Sequence, residues 1–171
     1  PMVLRPGYIT PQMLSKVLGK EVIIDPGIIA ADDTRKPKAP GMKYKHYAPK
    51  ADMAIVDGTR KHVIAKINEL VASHRDDGKK IAVIATEETK QFYDADVVLS
   101  MGSRADEDSI AHELYRILRD CDELDVDVIF SESFSTPRIG QAIMNRMLKA
   151  AGHQVIDTHV KYDKIIFVAQ T

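Results

Sequence analysis

Residues 52–86 have the sequence DMAIVDGTRKHVIAKINELVASHRDDGKKIAVIAT, which contains the clearest pattern of secondary structure in the chain. Its ends contain two short apolar runs, Met53–Val56 and Ile81–Ala85, which are typical of strands buried on both faces of a sheet. The segment between them repeats apolar residues at the spacing of one helix face and stops at Gly78. The apolar positions are Val63, Ile64, Ile67, Leu70 and Val71. The stretch therefore predicts two buried strands joined by an amphipathic helix.

The same alternation continues towards the carboxyl end. Apolar runs at 97–99, 126–130 and 154–156 predict three more strands, and helices are predicted at 87–92 and 137–151. A further long helix presents Ile110, Leu114, Ile117, Leu118 and Cys121. Short apolar strands separated by helices predict an α/β fold, with a parallel sheet of about five strands covered by helices on both faces. The tail could add an edge strand at 165–168.

Two segments precede this domain, which we place at residues 53–171. Residues 1–24 contain a short helix, with Thr10 as its cap and Gly19 at its end, and a strand at 22–24. This unit is too poor in apolar residues to fold alone, so we expect it to close a preceding domain. Residues 25–52 show no sustained periodicity and contain four prolines, which predicts a linker.

Composition excludes several classes of function. The chain has 24 basic and 25 acidic residues, a formal net charge of −1, so no overall field attracts nucleic acid or an anionic membrane. Cys121 is the only cysteine, which rules out an intramolecular disulfide and a multi-cysteine zinc site. No apolar run approaches the roughly 20 residues that span a bilayer, and no signal peptide opens the sequence. We expect a cytoplasmic protein with no membrane partner.

The linker ends in PGMKYKHYAP, residues 40–49, the stretch least typical of a structural scaffold. It offers ammonium, imidazole and phenol groups, which suit a phosphorylated, planar ligand. These groups belong to Lys43, Tyr44, Lys45, His46 and Tyr47. A basic spacer between two folded units explains the same residues equally well, so the residue types alone leave both interpretations open.

A second candidate site lies where the predicted strands end, at loops 57–59, 86–87, 102–104 and 132–136. Ligands of parallel sheets bind there, because loops lead into helix N-termini. Gly102-Ser103-Arg104 suits an anion best: glycine admits a phosphate, serine adds a donor and arginine can bind two oxygens. Simple helix capping is nevertheless the favoured explanation. The sequence contains neither of the glycine-rich phosphate-binding motifs, G-x-x-x-x-G-K-[ST] and G-x-G-x-x-G.

The remaining polar residues indicate no strong site. A receiver domain needs a carboxylate at the end of the third strand, where Ser100 and Met101 stand, and is excluded. A flavin-binding module stays open on architecture alone. The histidines lack the spacing of metal ligands, so no metal site is predicted. Asn145 and Arg146 on the last long helix could bridge loops or face a partner, although an exposed helix surface is the default interpretation.

The linker and its surroundings resemble the threonylcarbamoyl-adenylate synthase family, whose members carry a YrdC-type catalytic domain, a linker with K-Y-x-H-Y-x-P and a Rossmann-like domain. The linker motif is matched by Lys43, Tyr44, His46, Tyr47 and Pro49. Upstream, Leu4-Arg5-Pro6-Gly7 is similar to the end of the catalytic domain. Weaker downstream matches follow the family's order: Gly102-Ser103-Arg104, Leu118-Arg119, Glu132 and Ala142-Ile143-Met144-Asn145-Arg146.

The resemblance implies that residues 1–24 are a remnant of the catalytic domain, 25–52 the linker and 53–171 a Rossmann-like accessory domain. The intact enzyme would be a nucleotidyltransferase that joins L-threonine, bicarbonate and ATP into threonylcarbamoyl-AMP, for threonylcarbamoyl-adenosine in tRNA. ATP and magnesium would bind as a substrate complex, and tRNA-modification proteins would be further partners. The implied nucleotide-binding residues are Lys43, Tyr44, His46 and Tyr47, at the mouth of the catalytic cleft. Without the catalytic domain, this chain would be inactive and hold no cofactor tightly.

Two positions depart from the family pattern: Ala39, where serine is common, and Arg138, where a small residue is expected. Two other functions stay open. The chain could be an independent nucleotide- or anion-binding module, which would bind ATP by itself. It could also be a non-enzymatic interaction or dimerisation domain that only positions the linker. The oligomeric state is not predicted.

Overall fold

The computed structural model describes residues 1–4, 7, 9–25, 48–134 and 140–159. An N-terminal unit contains β1 (Met2–Val3), α1 (Pro11–Leu18) and β2 (Ile23–Ile24). The larger unit contains the strands β3 (Asp52–Asp57), β4 (Ile81–Ala85), β5 (Val97–Ser100), β6 (Val128–Glu132) and β7 (Val155–Asp157). Its helices are α2 (Arg60–Asp76), α3 (Glu107–Glu123) and α4 (Gly140–Ala150).

The strands of the larger unit form one parallel sheet in the order β5-β4-β6-β3-β7. β6 lies at the centre, where Ile129 pairs with Met53 on one side and with Ala82 on the other. Helices cover both faces of the sheet, and most of its strand residues are buried. The predicted α/β fold with a parallel sheet of about five strands is therefore confirmed.

The helices divide between the two faces according to the strand order. α2 buries Val63, Ile67 and Val71 on one face of the sheet, whereas α3 and α4 pack on the other face. β3 is followed by α2 and β6 by α4, so the helices that follow these two neighbouring strands lie on opposite faces of the sheet. A crevice opens at the carboxyl ends of such strands, at the switch point where doubly wound sheets bind their ligands.

The predicted apolar face of α3 is confirmed. All five of its residues are buried: Ile110, Leu114, Ile117, Leu118 and Cys121. Burial, together with the smaller effect of the charges of Asp120 and Asp122, raises the pKa of the Cys121 thiol to about 12. The thiol therefore stays protonated and packs as a small apolar group.

The N-terminal unit shows the predicted helix signals. The N–H of Met13 donates to Thr10 Oγ1 at 3.2 Å, and Gly19 ends α1 in the left-handed conformation with φ of 64°. Large apolar side chains of this unit are exposed, namely Met2, Ile9, Met13, Val17, Leu18 and Ile23. An exposed apolar surface of this kind is suited to contact with another surface.

Two predicted elements differ from the structure. The helix predicted at 87–92 is only a 3₁₀ turn, Lys90–Phe92: the N–H of Phe92 donates three residues back, to Thr89 O at 2.9 Å, whereas that of Lys90 donates four residues back, to Thr86 O at 2.9 Å. The strand predicted at 126–130 instead runs over Val128–Glu132, because its pairing with β3 continues to Glu132. This shift places a carboxylate inside the sheet. Residues 137–139 of the last predicted helix and the edge strand predicted at 165–168 lie outside the described residues.

The described end of the linker is fixed to the larger unit. Pro49 is buried, and the N–H of Lys50 donates to Asp122 Oδ1 at 2.7 Å, near the end of α3. The chain then enters β3 at Asp52. Within the described ranges, no helix combines the length and apolar character needed to cross a membrane.

Candidate functional site

A cleft of about 280 Å³ opens at the carboxyl ends of β3 and β6. It therefore lies at the switch point of the sheet, the usual place for a ligand in this architecture. Its walls are formed by Asp57, Gly58, Arg60, Val63, Arg104, Glu132, Ser133 and His159. The structure thus brings the predicted loops 57–59 and 102–104 and the described part of the loop 132–136, residues 132–134, to one place.

The turn from β3 into α2 requires glycine. Gly58 has φ of 149°, and a Cβ at this position would lie 2.0 Å from Thr158 Oγ1. Thr158 comes this close because its N–H and its hydroxyl both donate to Asp57 O at 2.8 Å. Any side chain at position 58 would displace Thr158, so glycine lets the segment after β7 pack beside the cleft.

The most buried charged group at the cleft is Glu132, which is 1% exposed. Its two carboxylate oxygens have separate donors: Tyr93 Oη donates to Oε1 at 2.7 Å, and Arg104 Nη2 donates to Oε2 at 2.6 Å. The same nitrogen of Arg104 donates to Ser133 O at 3.0 Å, and the guanidinium lies 5.4 Å from the ring centroid of Phe134. A buried carboxylate is costly unless it is paired, so these donors hold Glu132 in place and Glu132 in turn fixes Arg104.

Tyr93 acts in this network as a neutral donor. Burial raises the pKa of Tyr93 far above the usual range, and the charge of Glu132 and the hydrogen bond to it raise the pKa further. The phenol therefore keeps its proton at physiological pH. Its role is to orient the carboxylate, and it cannot serve there as a base.

The predicted anion loop, Gly102-Ser103-Arg104, meets an internal carboxylate. Ser103 Oγ donates to Glu88 Oε1 at 2.5 Å, and the N–H of Arg104 donates to the same oxygen at 3.0 Å. Burial by itself raises the pKa of Glu88, but hydrogen bonds, including those from Ser103 and Arg104, outweigh burial and leave the pKa lowered. Glu88 thus accepts hydrogen bonds from the same groups, the Ser103 hydroxyl and the Arg104 N–H, that the sequence suggested for an external anion. Binding of an external anion by this loop stays a prediction.

Helix capping, the alternative explanation for the loop, involves Asp106. Its carboxylate accepts the N–H of Ser109 at 3.3 Å and caps α3. Gly102 has φ of 105°, and a Cβ there would lie 2.4 Å from Ser109 Oγ. Glycine is therefore needed for the close approach of the loop to the first turn of α3.

The other predicted site residues lie away from this cleft or outside the described residues. Asn145 is buried on α4, so the exposed surface expected by default is not observed for it. The guanidinium of Arg146 lies 5.6 Å from the ring centroid of Tyr115 and links α4 to α3. The linker residues lie outside the described ranges, and nucleotide binding by them stays a prediction: Lys43, Tyr44, His46 and Tyr47.

Sequence reasoning missed Arg60, Tyr93 and Glu88 as members of this region. Arg60 and Glu88 stand in ordinary polar segments, and Tyr93 follows a short turn, so none carries a motif. Glu132 had a signal, since it stands two residues beyond the apolar run that ends at Phe130. In the parts of the chain that the structure describes, no group of three or more histidine, cysteine or acidic residues could hold a metal ion.

The fold and the cleft define an α/β domain, doubly wound, whose switch point is open to a small ligand. The family model described as threonylcarbamoyl-AMP synthase, C-terminal domain, matches residues 9–152. The chain belongs to this family.

Curated relatives support the assignment. The chain is 43% identical over 156 residues to the threonylcarbamoyl-AMP synthase of Bacillus subtilis (strain 168), covering 91% of this chain and 43% of the relative. It is 42% identical over 157 residues to that of Pyrococcus abyssi (strain GE5 / Orsay), covering 91% of this chain and 44% of the relative. The chain therefore spans less than half the length of these relatives.

Solved structures agree with the sequence comparison. The crystal structure of P. abyssi Sua5 complexed with L-threonine matches with a TM-score of 0.80 and 41% identity, over 93% of this chain and 44% of that one. The C-terminal Sua5 domain of a Pyrococcus horikoshii protein matches with a TM-score of 0.52 and 34% identity, over 64% of this chain and 99% of that one. The larger unit of this chain thus has the fold of a C-terminal Sua5 domain.

Proposed function

We propose that this chain is the C-terminal part of an enzyme that joins L-threonine, bicarbonate and ATP into threonylcarbamoyl-AMP and releases pyrophosphate. The product would serve the formation of threonylcarbamoyl-adenosine in tRNA. The observation that carries the proposal is the match of residues 9–152 to the C-terminal domain of threonylcarbamoyl-AMP synthase. The relatives that bear this name are more than twice as long as the matched region.

The catalytic work is assigned to the part of the enzyme that precedes this chain. By this proposal the intact protein is a nucleotidyltransferase of the cytoplasm, and this chain alone is inactive. Residues 1–24 close the catalytic domain, 25–52 form a gating linker and 53–171 form the Rossmann-like accessory domain. Proteins of tRNA modification are the proposed partners.

In the intact enzyme, the linker meets ATP and its magnesium ion. Lys43 and His46 offer cationic donors to the phosphates, and Tyr44 and Tyr47 offer aromatic surfaces and hydroxyls to the nucleotide. One solved relative is a variant of P. abyssi Sua5 in which a histidine and the tyrosine after it are both alanine. This chain contains a single His-Tyr pair, His46-Tyr47, and we assign the linker function to that pair and its neighbours.

The accessory domain supports this role by fixing the end of the linker. One residue separates buried Pro49 from the end of the K-Y-x-H-Y segment, and the N–H of Lys50 donates to the carboxylate of Asp122. The α/β domain thereby gives the linker a fixed origin from which to reach the catalytic cleft. Such a fixed origin limits the conformations of the linker and lowers the entropy cost of closing it over a ligand.

The experiment is an assay of threonylcarbamoyl-AMP formation by the whole enzyme. We expect Lys43→Ala combined with His46→Ala to lower kcat/KM for ATP at least about tenfold, through loss of charge-assisted bonds to phosphate. Lys36→Ala combined with Lys38→Ala is the control, because it removes linker cations outside the motif. Equal activity of the wild type and the Lys43/His46 variant would refute the role of the linker in nucleotide binding.

A further inference from the structure

We infer that the cleft between β3 and β6 is a ligand site of the accessory domain itself, suited to a small phosphate monoester. Among the described residues, its walls belong to the ends of β3 and β6, the start of α2 and the loops at Arg104 and His159. The proposed function needs no ligand at this position. The site therefore adds a second, independent binding function to the chain.

Two arginines from different elements line the cleft, and each is held in place. Arg104 is fixed by its bonds to Glu132 and Ser133. Arg60 Nη2 donates to Glu88 O at 2.5 Å, and its guanidinium lies 5.9 Å from the ring centroid of Phe92. Two guanidinium groups already oriented beside one cavity suit the oxygens of a phosphate, because little entropy is lost when it binds.

The charges at the start of α2 also favour an anion. Arg60, Lys61 and His62 form the first turn, which contains no acidic residue, and the side chain of Thr59 makes no capping bond. Cations at the positive end of a helix dipole are unfavourable, and the first N–H groups of a helix have no partner within it. An anion in the cleft would accept these N–H groups and offset the repulsion.

The two acids of the cleft have different roles. The charge of Glu132 is compensated by Arg104 and Tyr93 inside the protein. Asp57 lies at the end of β3 on the cleft wall, where its carboxylate can accept hydroxyl groups of a sugar carried by the phosphate. A volume of about 280 Å³ is at the small end for ligand pockets, which favours a monoester over a dinucleotide.

The test is a titration of this chain with AMP at low salt, followed by NMR of the backbone amides. We expect saturable shifts at Gly58, Arg60 and Ser133, with a dissociation constant in the millimolar range or tighter. Arg60→Gln should weaken binding about tenfold without unfolding the protein, because the described contacts of this exposed side chain are one hydrogen bond to Glu88 O and the ring of Phe92. Arg75→Gln is the matched control, since Arg75 is an exposed arginine in the last turn of the same helix.

A titration with inorganic phosphate distinguishes the contribution of the phosphate group to binding from that of the sugar. Inorganic phosphate should shift the same amides but bind more weakly than AMP. Asp57→Ala should weaken the binding of AMP without weakening the binding of phosphate. The Lys43→Ala/His46→Ala variant should keep the shifts, because the described residues that line this cleft all belong to the α/β domain. Absence of saturable shifts, or equal affinity of wild type and Arg60→Gln, would overturn the site. Equal affinity for phosphate and AMP would overturn its assignment to a monoester.

Discussion

The hydroxyl of Tyr93 donates a 2.7 Å hydrogen bond to the buried carboxylate of Glu132. This bond joins the segment after the 3₁₀ turn to the carboxyl end of the central strand, β6. Arg104 completes the pairing of the carboxylate from a third segment. The wall of the cleft is therefore assembled by one buried acid and two donors that are distant in sequence.

Tyr93→Phe removes the donor without changing the ring. One oxygen of a buried carboxylate then lacks its partner, so we expect the free energy of unfolding to fall by about 1–3 kcal/mol. Urea unfolding at pH 7 measures the loss. In a double-mutant cycle with Glu132→Leu, which removes the acceptor, the two changes should be strongly non-additive. Simple additivity would show that the bond contributes nothing to stability.

Arg104→Met removes the cation that faces Glu132. Breaking a buried ion pair costs about 3–5 kcal/mol, and we expect the lower end of this range because the side chain of Arg104 is 37% exposed. Adding Glu132→Gln should restore part of the loss, since no uncompensated charge stays buried. If the double variant unfolds as easily as Arg104→Met, the destabilisation comes from lost packing on Phe134 and not from the charge.

Ser103→Ala removes a donor to Glu88, so we expect the pKa of Glu88 to rise towards its ordinary value. A carboxylate whose pKa is lowered by folding stabilises the protein above the unfolded pKa and loses that effect as pH falls through the folded pKa. The variant should therefore be less stable than the wild type at pH 7, and the difference should vanish once the pH is low enough to protonate Glu88 in the folded wild type. Carboxyl NMR of Glu88 and unfolding at both pH values measure this; an unchanged pKa would exclude the proposed cause.

Asp122→Asn should loosen the end of the linker. The charge that holds the N–H of Lys50 is lost, so we expect faster hydrogen exchange at Lys50 and little change in the sheet. Asp120→Asn is the control, because Asp120 lies on the same helix and pairs with Arg116 instead. Equal exchange at Lys50 in both variants would mean that buried Pro49 alone anchors the linker.

The sheet and its core could be predicted from sequence because their signals are local. The strands β3 and β4 are short continuous apolar runs bounded by polar residues, and the apolar face of α3 repeats at helical spacing. The cleft could be predicted only as a set of loops at one sheet edge. Its buried pair, Tyr93 with Glu132, depends on the exact end of β6 and on the strand order, and neither leaves a local pattern. The hydrogen bonds of Glu88 to the predicted anion loop could not be predicted for the same reason, since Glu88 is distant in sequence and reaches the loop only through the tertiary fold.

We propose that this chain completes an enzyme whose catalytic part precedes it. The most direct measurement is the formation of threonylcarbamoyl-AMP from L-threonine, bicarbonate and ATP by three proteins: this chain, the preceding part, and the two joined. We predict full activity for the joined protein, none for this chain, and strongly reduced activity for the preceding part. Product formation by this chain alone, or full activity without it, would refute the proposed accessory role.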